Sequence, residues 1–195
     1  MAGEKTRGHD RTRIWTAIVY PESAPDNWQD LLNEHHIEWA MSPLHEFDTN
    51  PTGEIKKAHY HIVISFTGPK SYEQVVSILE PLNCPIPQRC HALKGAVRYF
   101  AHLDNPEKYQ YSIDDIVAFG GFDIAAALAP SSGERYDLIC EMAAFIKENN
   151  IREYQDLFDY AADHRRHDWI PLLCDNSSLV VNYYIKSQRH RMERN

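Results

Sequence analysis

The sequence lacks any apolar stretch near the roughly 18 residues that a membrane-spanning helix requires. It has only four cysteines, Cys84, Cys90, Cys140 and Cys174, and no two of them form a C-x-x-C pair. This spacing argues against a structural zinc bound through cysteine. The N-terminus also has no apolar segment typical of an export signal, so we expect reduced thiols and a cytoplasmic protein.

Motifs of several other enzyme classes are missing as well. No G-x-x-x-x-G-K-[ST] phosphate loop occurs, which argues against a P-loop ATPase. The absence of H-E-x-x-H excludes a zincin protease. The H-x-H-x-H pattern of histidine-triad nucleotide-binding proteins fails because Val63 stands at its third position.

Positive charge is in short supply, with 20 Lys and Arg against 28 Asp and Glu and a net charge of −8. This balance argues against wrapping a nucleic acid over the whole surface. A local basic site is still compatible with it, since basic residues recur near both ends. They are Lys5, Arg7, Arg11 and Arg13 at the start, and Lys186, Arg189, Arg191 and Arg194 at the end. Contact with DNA and a simple solvated terminus both remain open for these segments.

The hydrophobic pattern predicts two domains, residues 1–128 and 133–195, joined by a Pro-, Ser- and Gly-rich linker at 129–133. In the first we expect an α+β fold with helices on one face of an antiparallel sheet. Strands are predicted at 13–20, 37–44, 58–66, 86–93 and 116–122, and helices at 26–35, 71–79 and 95–103, the first two capped by Asp26 and Ser71. The second should be helical at 134–148, 151–162 and 177–191, with a break near 169–171.

His59 and His61 form the most informative pair of residues in the chain. Side chains at i and i+2 of a strand point to the same face, so the two imidazoles should lie side by side while Tyr60 and Ile62 pack on the other face. Neutral imidazole is the commonest protein metal ligand. A structural histidine pair is the alternative, because H-x-H alone is a weak motif.

The preceding segment adds His45 and Asp48, and antiparallel pairing would bring His45 beside the H-x-H strand. Three imidazoles and one carboxylate form a mixed nitrogen and oxygen site that suits Mn²⁺, Mg²⁺ or Zn²⁺. We therefore predict a divalent-metal centre with positions left for a phosphate oxygen.

Tyr99 is the candidate nucleophile, early in a short predicted helix. A tyrosine oxygen can attack a phosphodiester and keep it as a covalent phosphotyrosine. A nearby metal would assist by neutralising the phosphate oxygens. Tyr109 and Tyr111 are competitors for the role.

Taken in order, His45-x-x-Asp48, Lys57-Ala-His-Tyr-His61 and Arg98-Tyr-Phe-Ala-His102 resemble the HUH endonuclease superfamily. More closely, the chain is similar to the RepB-like replication initiators of small rolling-circle plasmids. The match includes Tyr20-Pro-Glu-Ser23 and Ser42-Pro-Leu-His45, and it covers most of residues 13–125.

The resemblance implies a ferredoxin-like domain with a five-stranded antiparallel sheet, which binds the plasmid origin and nicks it, followed by a helical oligomerisation domain. It implies His45, Asp48, His59 and His61 as ligands of Mn²⁺ or Mg²⁺. Tyr99 would be the nucleophile that leaves a 5′-phosphotyrosine and a free 3′-hydroxyl. The acidic net charge departs from what an origin binder would show.

The expected partners are the plasmid origin, as a single-stranded hairpin loop with flanking duplex, and a host helicase and polymerase. Four basic residues near the predicted site are candidate contacts to the DNA backbone: Lys56, Lys57, Lys94 and Arg98. For Lys56 and Lys57 a solvated loop is the alternative.

Three rival functions remain. A metal phosphodiesterase that activates water would share the histidines but need no tyrosine. A non-catalytic DNA-binding regulator would use the C-terminal helices as a reader, although their acidic charge argues against it. A conjugative relaxase would carry a longer H-x-H-x-x-x-H cluster, which the sequence lacks. His164 and His167 could imitate a helical metal pair, but a solvated helix end is favoured.

Overall fold

The structure is a computed structural model that describes residues 11–84, 86–175 and 177–192. Of the basic terminal residues, Lys5, Arg7 and Arg194 lie outside the described residues. The chain separates into two compact units, Met1–Leu128 and Ala129–Asn195.

The first unit is built on a five-stranded antiparallel sheet with the strand order β4-β1-β3-β2-β5. Its strands are β1 (Thr12–Val19), β2 (Glu38–Met41), β3 (Tyr60–Lys70), β4 (Gln88–Arg89) and β5 (Val117–Phe119). The long strand β3 lies at the centre, between β1 and β2. The predicted α+β class with an antiparallel five-stranded sheet is confirmed.

Helices cover both faces of this sheet, so the prediction of helices on one face alone is wrong. Helices α1 (Trp28–Asn33) and α2 (Tyr72–Leu79) pack on the face that carries Ile62 and Ile64. Helices α3 (Leu93–Phe100) and α4 (Ile124–Leu128) pack on the face that carries Val63. The central strand is apolar on both sides, and two apolar faces require two covers.

Local chemistry explains several differences from the predicted boundaries. The predicted strand at 86–93 is reduced to the two residues of β4, where Pro87 just before it supplies no N–H to a ladder. Ser71 caps α2 as predicted, with Gln74 N donating to Ser71 Oγ at 3.4 Å. Asp26 does not cap α1, since Asn27 takes that position without a side-chain cap bond.

The second unit is helical. It contains α5 (Ser132–Glu148), α6 (Tyr154–His164), α7 (Trp169–Leu173) and α8 (Ser177–Met192). The predicted break near 169–171 is instead helix α7. Its third residue is Pro171, which is tolerated because the first four N–H groups of a helix have no intrahelical partner.

The core of the second unit is mainly apolar. Met142, Ile146, Leu157 and Trp169 pack together with Val181 of α8. Among the described residues, no helix has both the length and the apolarity to span a membrane.

Candidate metal centre and nucleophile

The backbone brings His45 and His59 together, where the chain enters β3. His45 N donates to His59 O at 2.9 Å and His59 N donates to His45 O at 3.3 Å, which makes an isolated antiparallel bridge. Ser42 fixes the next step of the pairing, since its buried Oγ accepts from His61 N at 2.9 Å. Antiparallel pairing thus places His45 beside the H-x-H segment, as the sequence indicated.

The alternation of β3 sorts its side chains as expected. His59 and His61 share one face, with their Nε2 atoms 3.2 Å apart. Tyr60 and Ile62 pack on the opposite face, in the core under α1 and α2. His59 Nδ1–H donates to Lys57 O at 2.8 Å, and this bond leaves Nε2 as the unprotonated nitrogen of the neutral ring.

His45 is fully buried and oriented by one hydrogen bond. Its Nε2–H donates to Phe100 O at 2.8 Å, so Nδ1 carries the lone pair of the neutral ring. That lone pair faces the Asp48 carboxylate, with Nδ1 and Oδ2 separated by 3.4 Å. Burial lowers the pKa of His45 although the Asp48 charge raises it, which favours the neutral ring.

His102 joins the site from the residues after α3, and its φ of 56° lies in the left-handed region. The ring is fully buried, and Nδ1–H donates to Tyr109 O at 2.7 Å. Its other nitrogen, Nε2, then lies 3.7 Å from Asp48 Oδ2. His102 belongs to the sequence motif Arg98-Tyr-Phe-Ala-His102, but its position beside Asp48 was not predicted.

His61 is kept neutral by its surroundings. Burial, followed by the neighbouring imidazoles of His45, His59 and His102 and the charge of Lys108, lowers the pKa of His61 to about 3. Its nitrogen lone pair is therefore available near neutral pH.

The donor atoms fit a bound cation. Two overlapping groups, His45–His59–His61 and His45–Asp48–His102, each place their ligand atoms within 4.8 Å of one another. Within the part of the chain that the structure describes, three buried polar atoms have no hydrogen-bond partner: Trp169 Nε1 in the second unit, and His45 Nδ1 and His102 Nε2 in this cluster. Leaving a buried polar atom unsatisfied costs about 1–3 kcal/mol. Lone pairs that face a carboxylate at these distances call for a positive charge between them, which a divalent ion supplies.

Tyr99 lies against these imidazoles. Its ring centroid is 5.1 Å from that of His61 and 5.1 Å from that of His102, edge to face in both cases. The phenolic oxygen accepts a hydrogen bond from Lys108 Nζ at 3.0 Å. The ring is half-buried, so the phenol is both near the candidate metal ligands and open to a substrate.

The two competing tyrosines have structural contacts. The Tyr111 ring stacks on His45 at 4.2 Å, while its hydroxyl accepts from Phe47 N at 3.1 Å and lies 3.3 Å from Asp48 Oδ1. Burial raises the pKa of Tyr111 to about 12, which disfavours its phenolate. The Tyr109 ring packs on Phe47 at 4.7 Å. These contacts favour Tyr99 as the nucleophile.

Arg98 and Lys57, two of the predicted DNA-contact residues, have acidic partners. Arg98 Nη2 lies 2.6 Å from Asp104 Oδ1, and Lys57 Nζ lies 3.1 Å from Glu22 Oε2. Lys94 stands one turn before Arg98 on α3, and Lys56 precedes the H-x-H segment. His164 and His167 are in neither of the possible metal-binding groups found among the described residues.

The chain matches two family models that together cover most of its length. The model described as "Plasmid replication protein, origin binding domain" matches residues 7–125. The model described as "Replication protein RepB, C-terminal" matches residues 132–190.

Curated relatives carry the same description. A "Replication protein" of Staphylococcus aureus is 45% identical over 190 residues, covering 97% of this chain and 96% of the relative. A "Replication protein RepB" of Lactiplantibacillus plantarum is 45% identical over 186 residues, covering 95% of this chain and 84% of the relative. A "Replication protein RepB" of Streptococcus agalactiae is 25% identical over 161 residues, covering 77% of each chain.

Proposed function

The chain belongs to the RepB-type plasmid replication proteins, initiators with an origin-binding domain, and we propose that it nicks one strand of the plasmid origin with Tyr99. The observation that supports this most strongly is the contact of the Tyr99 ring with His61 and His102, at the edge of the buried imidazole cluster. A nucleophile beside a cation site is the arrangement that phosphodiester cleavage requires.

We propose His45, Asp48, His59 and His61 as ligands of Mn²⁺ or Mg²⁺, with His102 Nε2 as a further donor facing the same carboxylate. When bound, the cation would supply positive charge to the non-bridging oxygens of the scissile phosphate. The hydrogen bonds of His45 and His59 to carbonyl oxygens hold the tautomers that such binding needs.

In the proposed reaction, Tyr99 Oη forms a bond to phosphorus and the bond from phosphorus to the 3′-oxygen breaks. The phenol loses its proton and the 3′-oxygen gains one, so the exchange is balanced without ATP. The 5′-phosphate stays on Tyr99 and the free 3′-hydroxyl is available to a host polymerase. A later transfer that reverses the linkage would close the DNA circle.

Lys56, Lys57, Lys94 and Arg98 are proposed to contact the DNA backbone near the scissile phosphate. Lys94 and Arg98 share α3 with Tyr99, while Lys56 and Lys57 directly precede the metal-ligand segment. On DNA binding, phosphate groups would take the place of Glu22 beside Lys57 and of Asp104 beside Arg98. Lysine and arginine form charge-assisted hydrogen bonds with phosphate as they do with carboxylate, so the exchange keeps both cations paired.

The helical unit is proposed as the oligomerisation domain. Four large apolar side chains of α8 are exposed at helical spacing: Leu179, Val180, Tyr183 and Tyr184. An exposed apolar patch on a globular protein commonly marks a protein-protein contact. Leu179→Asp should therefore lower the mass measured by light scattering, whereas Gln155→Asp, at an exposed position of α6, should not. An unchanged mass in the Leu179 variant would assign the contact elsewhere.

Tyr99→Phe tests the nicking proposal directly. Supercoiled parent plasmid is incubated with the full chain and MnCl₂, then analysed on a denaturing gel for nicked DNA and a protein–DNA adduct. We expect the wild-type chain to give both and the Phe variant to give neither, with plasmid binding retained.

The outcomes also separate the rival functions. Nicking without an adduct in the wild-type chain would indicate a phosphodiesterase that uses water. Binding without any nicking would indicate a non-catalytic regulator. An adduct that persists in the Phe variant would transfer the role of nucleophile to Tyr109 or Tyr111.

A further inference from the structure

We propose that Lys108 is a second catalytic residue, an ammonium group that stabilises the Tyr99 oxygen as it attacks phosphorus. This inference rests on the proposed role of Tyr99. Lys108 Nζ donates a hydrogen bond to Tyr99 Oη at 3.0 Å, and it also lies 4.4 Å from the centroid of the tyrosine ring. The hydrogen bond places a positive charge beside Tyr99 Oη, the atom that carries negative charge when the phenol loses its proton. The ring contact keeps the same ammonium group close to the tyrosine side chain.

The segment that carries Lys108 is held in place on both sides. Lys108 N donates to Asn105 O at 3.0 Å, and Gln110 Nε2 donates to Lys108 O at 2.9 Å. The next residue is also fixed, because Tyr109 O accepts the bond from His102 Nδ1 at 2.7 Å. The same short segment therefore orients a ring of the metal centre and delivers the ammonium group to the phenol.

The charge of Lys108 is not consumed by an acid. Within the described ranges, no carboxylate lies at ion-pair distance from Lys108 Nζ, in contrast to Lys57 beside Glu22 and Arg98 beside Asp104. The side chain is partly buried, where a charge-assisted hydrogen bond is stronger than at an open surface.

The chemistry needs a group of this kind. When the phenol loses its proton, Tyr99 Oη carries negative charge, and this charge passes to the phosphate and then to the 3′-oxygen as the bond from Oη to phosphorus forms and the bond to the 3′-oxygen breaks. The 3′-oxygen then takes up a proton. Lys108 gives up no proton in this scheme. It stabilises the charged oxygen through a donor already in position, in the way that an oxyanion donor acts. The same stabilisation applies when Tyr99 leaves during strand joining.

Lys108→Met tests the proposal, because it removes the charge while keeping an unbranched side chain. Nicking of supercoiled parent plasmid is measured with enzyme in excess and with MnCl₂ present, alongside the rate of rejoining. We expect both rates to fall by roughly 10²–10³-fold, the usual effect of losing one such donor, with plasmid affinity unchanged. Lys108→Arg should recover at least part of the rate, since it restores a cationic donor.

Lys70→Met is the matched control, because Lys70 Nζ also lies over an aromatic ring, at 5.7 Å from Phe66, away from the site. It should nick at the wild-type rate. Wild-type nicking by Lys108→Met, or a rate loss matched by an equal loss of plasmid affinity, would overturn the role given to Lys108. An equal loss in the Arg variant with an intact melting temperature would overturn it too.

The failure of this inference is distinguishable from that of the proposed function. If Tyr99→Phe is inactive and Lys108→Met is fully active, Tyr99 keeps its role and only the Lys108 inference fails. If Tyr99→Phe still forms the adduct, the proposed nucleophile itself is wrong.

Discussion

The two units of the chain bury very different side chains. Five of the six buried polar residues among those described lie in the first unit: Ser42, His45, Asp48, His59 and His102. In the second unit the corresponding residue is Ser177, and the core is otherwise built of hydrophobic residues, with the Trp169 indole N–H as a further buried polar group. Because buried polar groups destabilise a fold unless they are satisfied, the buried cluster of the first unit would be stabilised by a bound cation, whereas the second unit depends mainly on apolar packing.

Ion pairs show the same contrast. In the second unit Arg165 binds both Glu141 and Asp168 at 2.6 Å, where all three side chains are at least partly exposed. In the first unit the buried Asp48 faces imidazole nitrogens at 3.4 and 3.7 Å, and no lysine or arginine among the described residues forms an ion pair with it. Arg165 thus neutralises two carboxylates of the second unit, whereas the buried Asp48 of the first would be neutralised by a cation from solution.

Three experiments can test this contrast, and Leu157→Ala should give the largest change in stability. Leu157 is fully buried in the second unit, and truncating such a leucine costs about 2–5 kcal/mol. Hydrogen exchange followed by mass spectrometry of the full chain should show weaker protection in 132–192. Mn²⁺ affinity should not change, and a parallel loss of Mn²⁺ affinity would show that the two units are not independent in this respect.

Adding a divalent cation should change the stability of the first unit and not of the second. A ligand at about 100 times its dissociation constant stabilises the state that binds it by about 2.7 kcal/mol. MnCl₂ should therefore slow exchange around 45–61 and 99–111 and leave the helical unit unchanged. Asp48→Asn is the control that should lose this protection. Equal protection of both units by MnCl₂ would contradict a site confined to the first.

Acid should separate the two units through their titrating groups. The folded pKa values of His45 and His61 lie below the usual value of 6.5, so the metal-free first unit should lose stability as the pH falls below 6.5, through the value of about 3 for His61. In the second unit, hydrogen bonding to Arg165 lowers the pKa of Glu141, so its contribution is lost only below about 4.5.

Exchange measured in chelator between pH 7 and 5 should then show the first unit opening before the second. Loss of protection in the helical unit first, or in both units together, would contradict this order. Because Glu141 is well exposed, its share in the second unit should be small.

Much of the site could be predicted from the sequence, because it depends on local periodicity. The alternation of β3 places His59 and His61 on one face, and short antiparallel pairing brings His45 beside them. The part that escaped prediction depends on tertiary contacts. His102 reaches Asp48 because its own backbone adopts the left-handed conformation just after α3. Lys108 reaches Tyr99 because the segment that carries it folds back towards α3.

The fold shows the same division. The strands β1, β2, β3 and β5 were predicted with errors of one to four residues at their ends, and the boundaries of α5 and α8 were close to those observed. The helices on the second face of the sheet, α3 and α4, were not predicted to lie there. Apolar residues on both sides of β3 require helices on both faces only if β3 is the central strand, and the strand order was not predicted. The short helix α4 was not predicted, although Asp123 caps it by accepting from Ala126 N at 2.9 Å.

The most direct measurement of the central claim is anomalous diffraction from crystals of the full chain grown with MnCl₂. A manganese peak should lie among His45 Nδ1, a carboxylate oxygen of Asp48 and the Nε2 atoms of His59 and His61, on the side that the Tyr99 ring contacts. Manganese bound only elsewhere, for example at His164 and His167, or a well-ordered imidazole cluster without any manganese, would contradict the account.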